Sequence, residues 1–133
     1  MTPALLLADS ALRSVHGSFA WFVVGVNALA GAWALAAHRF EPLRRRELWW
    51  FTVFAQMTIV AQVLIGVFLR NELFGGTDDP PHLRMHMFYG IIALFSMAIL
   101  YSYRSQLRQH LYLLYGFGGL FLMGLALRAI ELQ

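Results

Sequence analysis

The chain has 133 residues, of which 59% are hydrophobic and 13% are charged, and its formal net charge is +3. This composition is typical of membrane proteins and excludes an ordinary soluble domain. Cysteine is absent, which excludes disulfides, thiolate metal sites and covalently attached c-type heme.

Four apolar stretches match the roughly 20 residues that a helix needs to cross a hydrocarbon core of about 30 Å. They predict an all-α integral membrane fold: a single domain formed by a four-transmembrane-helix bundle, with helices near 14–37, 48–70, 82–103 and 109–130. Ser10 and Ser14 are the candidate caps of the first helix. The first ten residues contain no basic residue and no clear cleavage pattern, so we expect no signal peptide.

The expected orientation in the membrane follows from the positions of the arginines alone, because the chain contains no lysine. Six of the ten arginines lie in two connections, 38–47 and 104–109: Arg39, Arg44, Arg45, Arg46, Arg104 and Arg108. The positive-inside rule then places these loops in the cytoplasm and both termini on the outer side of a bacterial cytoplasmic membrane. We expect the basic loop to contact anionic lipid headgroups, and we expect no nucleic-acid partner.

Two glutamines interrupt the apolar surface of the second predicted helix. Gln56 and Gln62 are six residues apart and therefore do not share one face closely. Each of these amides is expected to need a partner on another helix, because lipid offers none.

Two histidines at the outer end of the predicted bundle form the candidate site. At about 1.5 Å per residue, His16 lies roughly 35 Å before Arg39, and His86 lies about 27 Å before Arg104. His16 is therefore level with His82 and about a turn and a half above His86, a gap that tilt or a different starting depth would close. The first and third helices run in the same direction, and two imidazoles that face each other across a bundle suit bis-histidine ligation of heme b.

Other residues at the same end complete the predicted heme site. Ala20 and Gly90 are small and lie one turn deeper than His16 and His86, so they would leave room for the porphyrin. Three arginines on the same side are candidate partners for the heme propionates, because guanidinium groups suit carboxylates: Arg70, Arg84 and Arg128.

A different metal chemistry uses some of the same residues. His82 lies four residues before His86 on the same helix face and competes with it as the ligand opposite His16. These histidines, with a carboxylate from the connection between helices two and three, are alternatively candidate ligands of a zinc, copper or iron ion. The candidate carboxylates are Glu72, Asp78 and Asp79.

Two further interpretations remain open. His38 and His110 lie at the cytoplasmic end and are candidates for a second heme. Alternatively, the histidines only form hydrogen bonds at the interface. The chain would then be a non-catalytic structural or assembly subunit, whose glycines on helices one and four bind partner helices.

Short motifs in this chain resemble a known family. Gln62-x-x-x-Gly66, the following loop and His86-x-x-x-Gly90 resemble the heme-binding half-bundles of the heme A synthase family and, more loosely, other four-helix membrane b-type cytochromes. The segment 15–20 (VHGSFA) resembles the helix that carries the second ligand in that family. Here that helix comes first, as in a permuted half-bundle, only one half is present, and the family's outer-loop cysteine pair is missing.

The resemblance implies heme binding and membrane electron transfer rather than heme A synthesis. We therefore expect an electron carrier or a small heme subunit of a respiratory complex, rather than a stand-alone enzyme. Its expected partners are the lipid bilayer and other membrane subunits or a second copy of the chain.

Overall fold

The computed structural model describes residues 2–74 and 80–132, except for the side chains of residues 72–74. Within these ranges there are four α-helices: α1 (Pro3–Arg39), α2 (Arg46–Phe74), α3 (Pro81–Tyr103) and α4 (Leu111–Glu131). Two short 3-10 helices, Glu41–Leu43 and Arg108–His110, precede α2 and α4. The described part of the chain contains no strand, as an all-α fold requires.

All four helices are long and apolar enough to cross a membrane. The four predicted membrane-length helices are thus confirmed. Helices α2, α3 and α4 begin and end within four residues of the predicted bounds.

Helix α1 begins at Pro3, eleven residues before the predicted start near residue 14. Proline suits the first turn of a helix because its fixed φ matches the helix and its missing N–H would be unpaired there anyway. Thr2 caps this end, since its Oγ1 accepts a hydrogen bond from the Leu5 amide at 3.3 Å. The predicted caps, Ser10 and Ser14, therefore lie inside the helix.

Helix α1 packs closely against α2 and α4, and α3 packs mainly against α4, so α1 and α3 lie across the bundle from each other. Glycine permits the closest of these approaches. A Cβ added to Gly119 of α4 would lie 2.8 Å from the Cα of Gly31 in α1. These two glycines are thus used inside the bundle, where small residues let helix backbones approach in lipid.

Helices α2 and α3 contact each other far less than the other neighbouring pairs do. The buried core draws side chains from all four helices. Its larger cluster consists of Val23, Ile59, Ala93, Leu100, Leu122 and Leu125. The loose α2–α3 packing leaves space beside this cluster, and the candidate site lies there.

Candidate functional site

A cavity of about 450 Å³ is lined by residues of all four helices around His16 and His86. We call it the histidine cavity. Most of its wall is apolar, and small side chains on each helix keep it open: Ala20, Gly66, Gly90, Ala93, Ala126 and Ala129. Its volume is within the range of about 300–1,000 Å³ that is usual for ligand sites.

The rings of His16 and His86 face each other across the bundle. Their centroids are 5.8 Å apart and their planes are inclined by 76°. Helices α1 and α3 are diagonal neighbours, so the two side chains reach into the interior from opposite corners. The structure therefore brings together His16 and His86, the two histidines that the sequence analysis proposes as a pair.

The ring of His86 is oriented by helix α4. Its Nδ1 lies 2.7 Å from the carbonyl oxygen of Ala129. Because a carbonyl oxygen only accepts, Nδ1 carries the proton and donates it, which leaves the lone pair of the neutral ring on Nε2. Imidazoles that bind metals usually hold their second nitrogen in this way. Nε2 is thus the nitrogen of the His86 ring that could bind a metal.

The ring of His16 is bordered by two residues of α2. The side-chain amide of Gln62 donates from Nε2 to the backbone carbonyl of His16 at 2.8 Å. A Cβ added to Gly66 would lie only 3.2 Å from Cε1 of the His16 ring. The amide thus has the interhelical partner that its position in lipid demands.

Two polar atoms in this corner are buried without a partner among the described residues: Nδ1 of His16 and Oε1 of Gln62. Buried polar groups are almost always hydrogen-bonded in folded proteins, so such atoms call for an explanation. Both lie where α1 and α2 border the histidine cavity.

The predicted propionate partners separate into two groups. Arg70 lines the histidine cavity, and its guanidinium also donates to Asn71 at 3.3 Å. Arg84 is exposed on α3 and does not line the cavity. Arg128 is likewise exposed outside the cavity wall, and it forms an ion pair with Glu131 at 2.8 Å.

Arg13 also lines the histidine cavity, although the sequence analysis did not select it. It precedes His16 by three residues, a spacing that places both side chains on one helix face. That spacing was the available signal. Together with Arg70, it gives the wall of the cavity a cation on α1 and a cation on α2.

The remaining histidines lie in different surroundings. His82 contributes to the wall of the histidine cavity but is an exposed residue in the first turn of α3. His38 and His110 are exposed and do not line this cavity.

The carboxylates invoked for a zinc, copper or iron site fall outside the described residues: Asp78, Asp79 and the side chain of Glu72. Across residues 2–71 and 80–132, no three His, Asp or Glu side chains converge to hold an ion. The described part of the site therefore offers a pair of imidazoles rather than a cluster of ligands.

The residues present fit a heme. With metal–nitrogen bonds of about 2.0–2.1 Å, two imidazoles on opposite sides of one ion have ring centroids about 6 Å apart. The observed 5.8 Å is close to that separation. A flat macrocycle also needs space beside the rings, and the cavity wall there includes the small residues Ala126 and Ala129 of α4.

Comparison with protein-family models, with curated proteins and with solved structures returned no match.

Proposed function

We propose that this protein is a heme b-binding electron-transfer protein of a membrane, with His16 and His86 as the two axial ligands. One observation carries the proposal: two rings face each other at 5.8 Å, and the His86 ring is held with Nε2 available. A heme held by two imidazoles has no open coordination position, which suits one-electron transfer rather than substrate activation.

The chain's own residues would bind and orient this group. The guanidinium groups of Arg13 and Arg70 would pair with the propionates, because both arginines line the histidine cavity. Ala20 and Gly90 would leave room for the macrocycle, and the apolar wall would keep water from the metal. The Ala129 carbonyl would keep the His86 ring in one tautomer.

We further propose that the protein lies in a bacterial cytoplasmic membrane, as an electron carrier or a small heme subunit of a respiratory complex. Segments 38–47 and 104–109 would face the cytoplasm, with both termini on the outer side. The arginine distribution supports this orientation. Helix faces that contact neither the core nor the cavity would meet lipid, other subunits or a second copy.

The first test is an absorption spectrum of the protein purified from cells supplied with heme. We expect a Soret band and, after reduction, sharp α and β bands, with about one heme per chain. His16→Ala and His86→Ala should each remove these bands, because each deletes an axial ligand.

The matched control is His82→Ala, which changes an exposed histidine of the same helix and should leave the bands in place. A native protein without colour would contradict the proposal. Bands that survive His86→Ala but vanish in His82→Ala would show that the ligand is His82. Stoichiometric zinc or copper without heme would favour the alternative metal site.

A further inference from the structure

Gln62 and Gly66 lie one helical turn apart on the face of α2 that meets His16. The amide of Gln62 contacts the backbone of His16, and Gly66 lies beside its ring. The orientation of the amide follows from its partner, since only Nε2 can donate to a carbonyl oxygen. Oε1 is therefore the end of the amide that remains without a partner.

The two unsatisfied atoms are chemically complementary. Oε1 of Gln62 accepts hydrogen bonds, and Nδ1 of a neutral imidazole donates one when it carries the ring proton. Both atoms are buried, and they belong to two residues that are already joined by a hydrogen bond of 2.8 Å. A hydrogen bond from Nδ1–H of His16 to Oε1 of Gln62 would satisfy both at once.

The opposite ligand shows what such a bond achieves. His86 already donates from Nδ1 to a carbonyl oxygen, which leaves Nε2 for the metal. An imidazole that binds a metal needs this second partner to fix its tautomer and raise its basicity. Among the described residues, Nδ1 of His16 has no such partner, and Oε1 of the neighbouring Gln62 accepts no hydrogen bond.

We propose that Gln62 is a positioning residue: its Oε1 accepts the hydrogen bond from Nδ1–H of His16 and so directs Nε2 of that ring into the histidine cavity. This inference rests on the proposed heme site. The same amide then has two roles, because Nε2 holds the backbone of α1 and Oε1 orients the ligand.

Two substitutions separate these roles in the heme-loaded full-length protein. Gln62→Met keeps the length of the side chain but removes both the donor and the acceptor. In its ionised form, the side chain of Gln62→Glu cannot donate to the His16 carbonyl but keeps an oxygen that accepts from Nδ1–H. A purely structural bond to the backbone is lost in both variants, whereas the acceptor for the ring is lost only in Gln62→Met.

We expect Gln62→Met to lower heme affinity by about 10–100-fold, the usual effect of removing such a partner. It should also raise the midpoint potential, because a less basic imidazole stabilises the oxidised iron less well. Gln62→Glu should keep affinity close to native and lower the potential, because a carboxylate makes the ring more basic. Gln56→Met, on the same helix but outside the cavity wall, is the control and should change neither quantity.

Equal effects of Gln62→Met and Gln62→Glu, or native values in both, would overturn the inference while leaving the heme site intact. A measurement on the His16 ring itself keeps the two proposals distinguishable. In the reduced, heme-loaded protein with ¹⁵N-labelled histidine, the Nδ1 resonance of His16 should move in Gln62→Met and stay in place in Gln56→Met. An unmoved resonance would overturn the inference and leave the heme site intact, whereas a native protein that binds no heme would overturn the proposed function itself.

Discussion

Single residues of the histidine cavity determine how much freedom the His16 ring has. Gly66 is the tightest of them: a Cβ at this position would lie 3.2 Å from Cε1 and 3.8 Å from Nε2 of that ring. Glycine here lets α2 approach the edge of the ring without a side chain between them. The edge of the His16 ring thus lies directly against the backbone of α2 at Gly66.

Gly66→Ala should therefore weaken heme binding. The added methyl group would push the His16 ring by a few tenths of an ångström, and ligand geometry tolerates little displacement. We expect a several-fold loss of heme affinity and shifted α and β bands, measured by heme titration and difference spectra. Gly17→Ala is the control, because a Cβ there has no neighbour within 4 Å. Equal heme affinity in the two variants would show that the ring has room to move.

The sequence predicts the two histidines and also Ala20, Gly90 and Arg70 in the cavity wall, but it misses Arg13 and selects Arg84 and Arg128, which lie outside that wall. Counting residues places His16, His82 and His86 at the same end of helices that run in the same direction, and the small residue one turn deeper than His86 favours it over His82 as the partner of His16. Whether Arg13, Gln62 or Arg84 turns inward depends on the rotation of each helix about its axis. In lipid the outer face is as apolar as the inner one, so hydrophobic periodicity carries little information about that rotation.

The helices of this bundle are held together by different kinds of contact. Helices α1 and α4 meet at glycines, whereas α1 and α2 are joined by a buried amide. Nδ2 of Asn27 donates to the carbonyl oxygen of Ala55 at 3.1 Å as well as to Val23 of its own helix. Helices α2 and α3, which pack least, leave the space for the histidine cavity. The close contacts of α1 with α2 and α4 thus hold the bundle together, while the loosely packed α2–α3 side leaves room for the histidine cavity.

Gly119→Ala should destabilise the α1–α4 contact. The new Cβ would lie 2.8 Å from Cα and 3.0 Å from the backbone nitrogen of Gly31, and backbone atoms cannot move aside as a flexible side chain can. Overpacking of this kind costs about 1–3 kcal/mol. We expect a lower thermal unfolding midpoint in detergent.

Gly124→Ala, on the same helix, is the control for this substitution. A Cβ at residue 124 meets nothing within 4 Å. It should be neutral or stabilise the helix by up to about 0.5–1 kcal/mol, because alanine loses less backbone entropy. A Gly119→Ala variant as stable as Gly124→Ala would mean that α1 and α4 separate at little cost.

The residues at which the helices begin and end could likewise be predicted only in part from the sequence. Hydrophobic length locates the part of each helix that can lie in the membrane, and this part was predicted closely for α2, α3 and α4. It says nothing about a helix that continues beyond that part. Helix α1 has 37 residues, about 55 Å at the usual rise, which exceeds a hydrocarbon core of about 30 Å. Its first turns were therefore missed.

At the scale of the whole molecule, the two ends of the bundle differ in their number of arginines. The end opposite the histidine cavity carries the arginines of segments 38–47 and 104–109, and all six of them are exposed. Arg44 also closes the end of α1, where it donates to the carbonyl oxygens of Ala37 at 2.7 Å and His38 at 2.8 Å. The proposed orientation would place this basic end in the cytoplasm and the histidine cavity near the outer face.

Cysteine labelling tests this orientation directly, because the native chain contains no cysteine that would react. We expect Ala4→Cys, exposed in the first turn of α1, to react with a membrane-impermeant maleimide in intact cells. Ser105→Cys, exposed in the turn before α4, should react only after the membrane is opened, because the positive-inside rule keeps this arginine-rich turn in the cytoplasm. Labelling after denaturation controls for the amount of each variant. The reverse pattern would place the histidine cavity at the cytoplasmic face and would require an electron partner on that side.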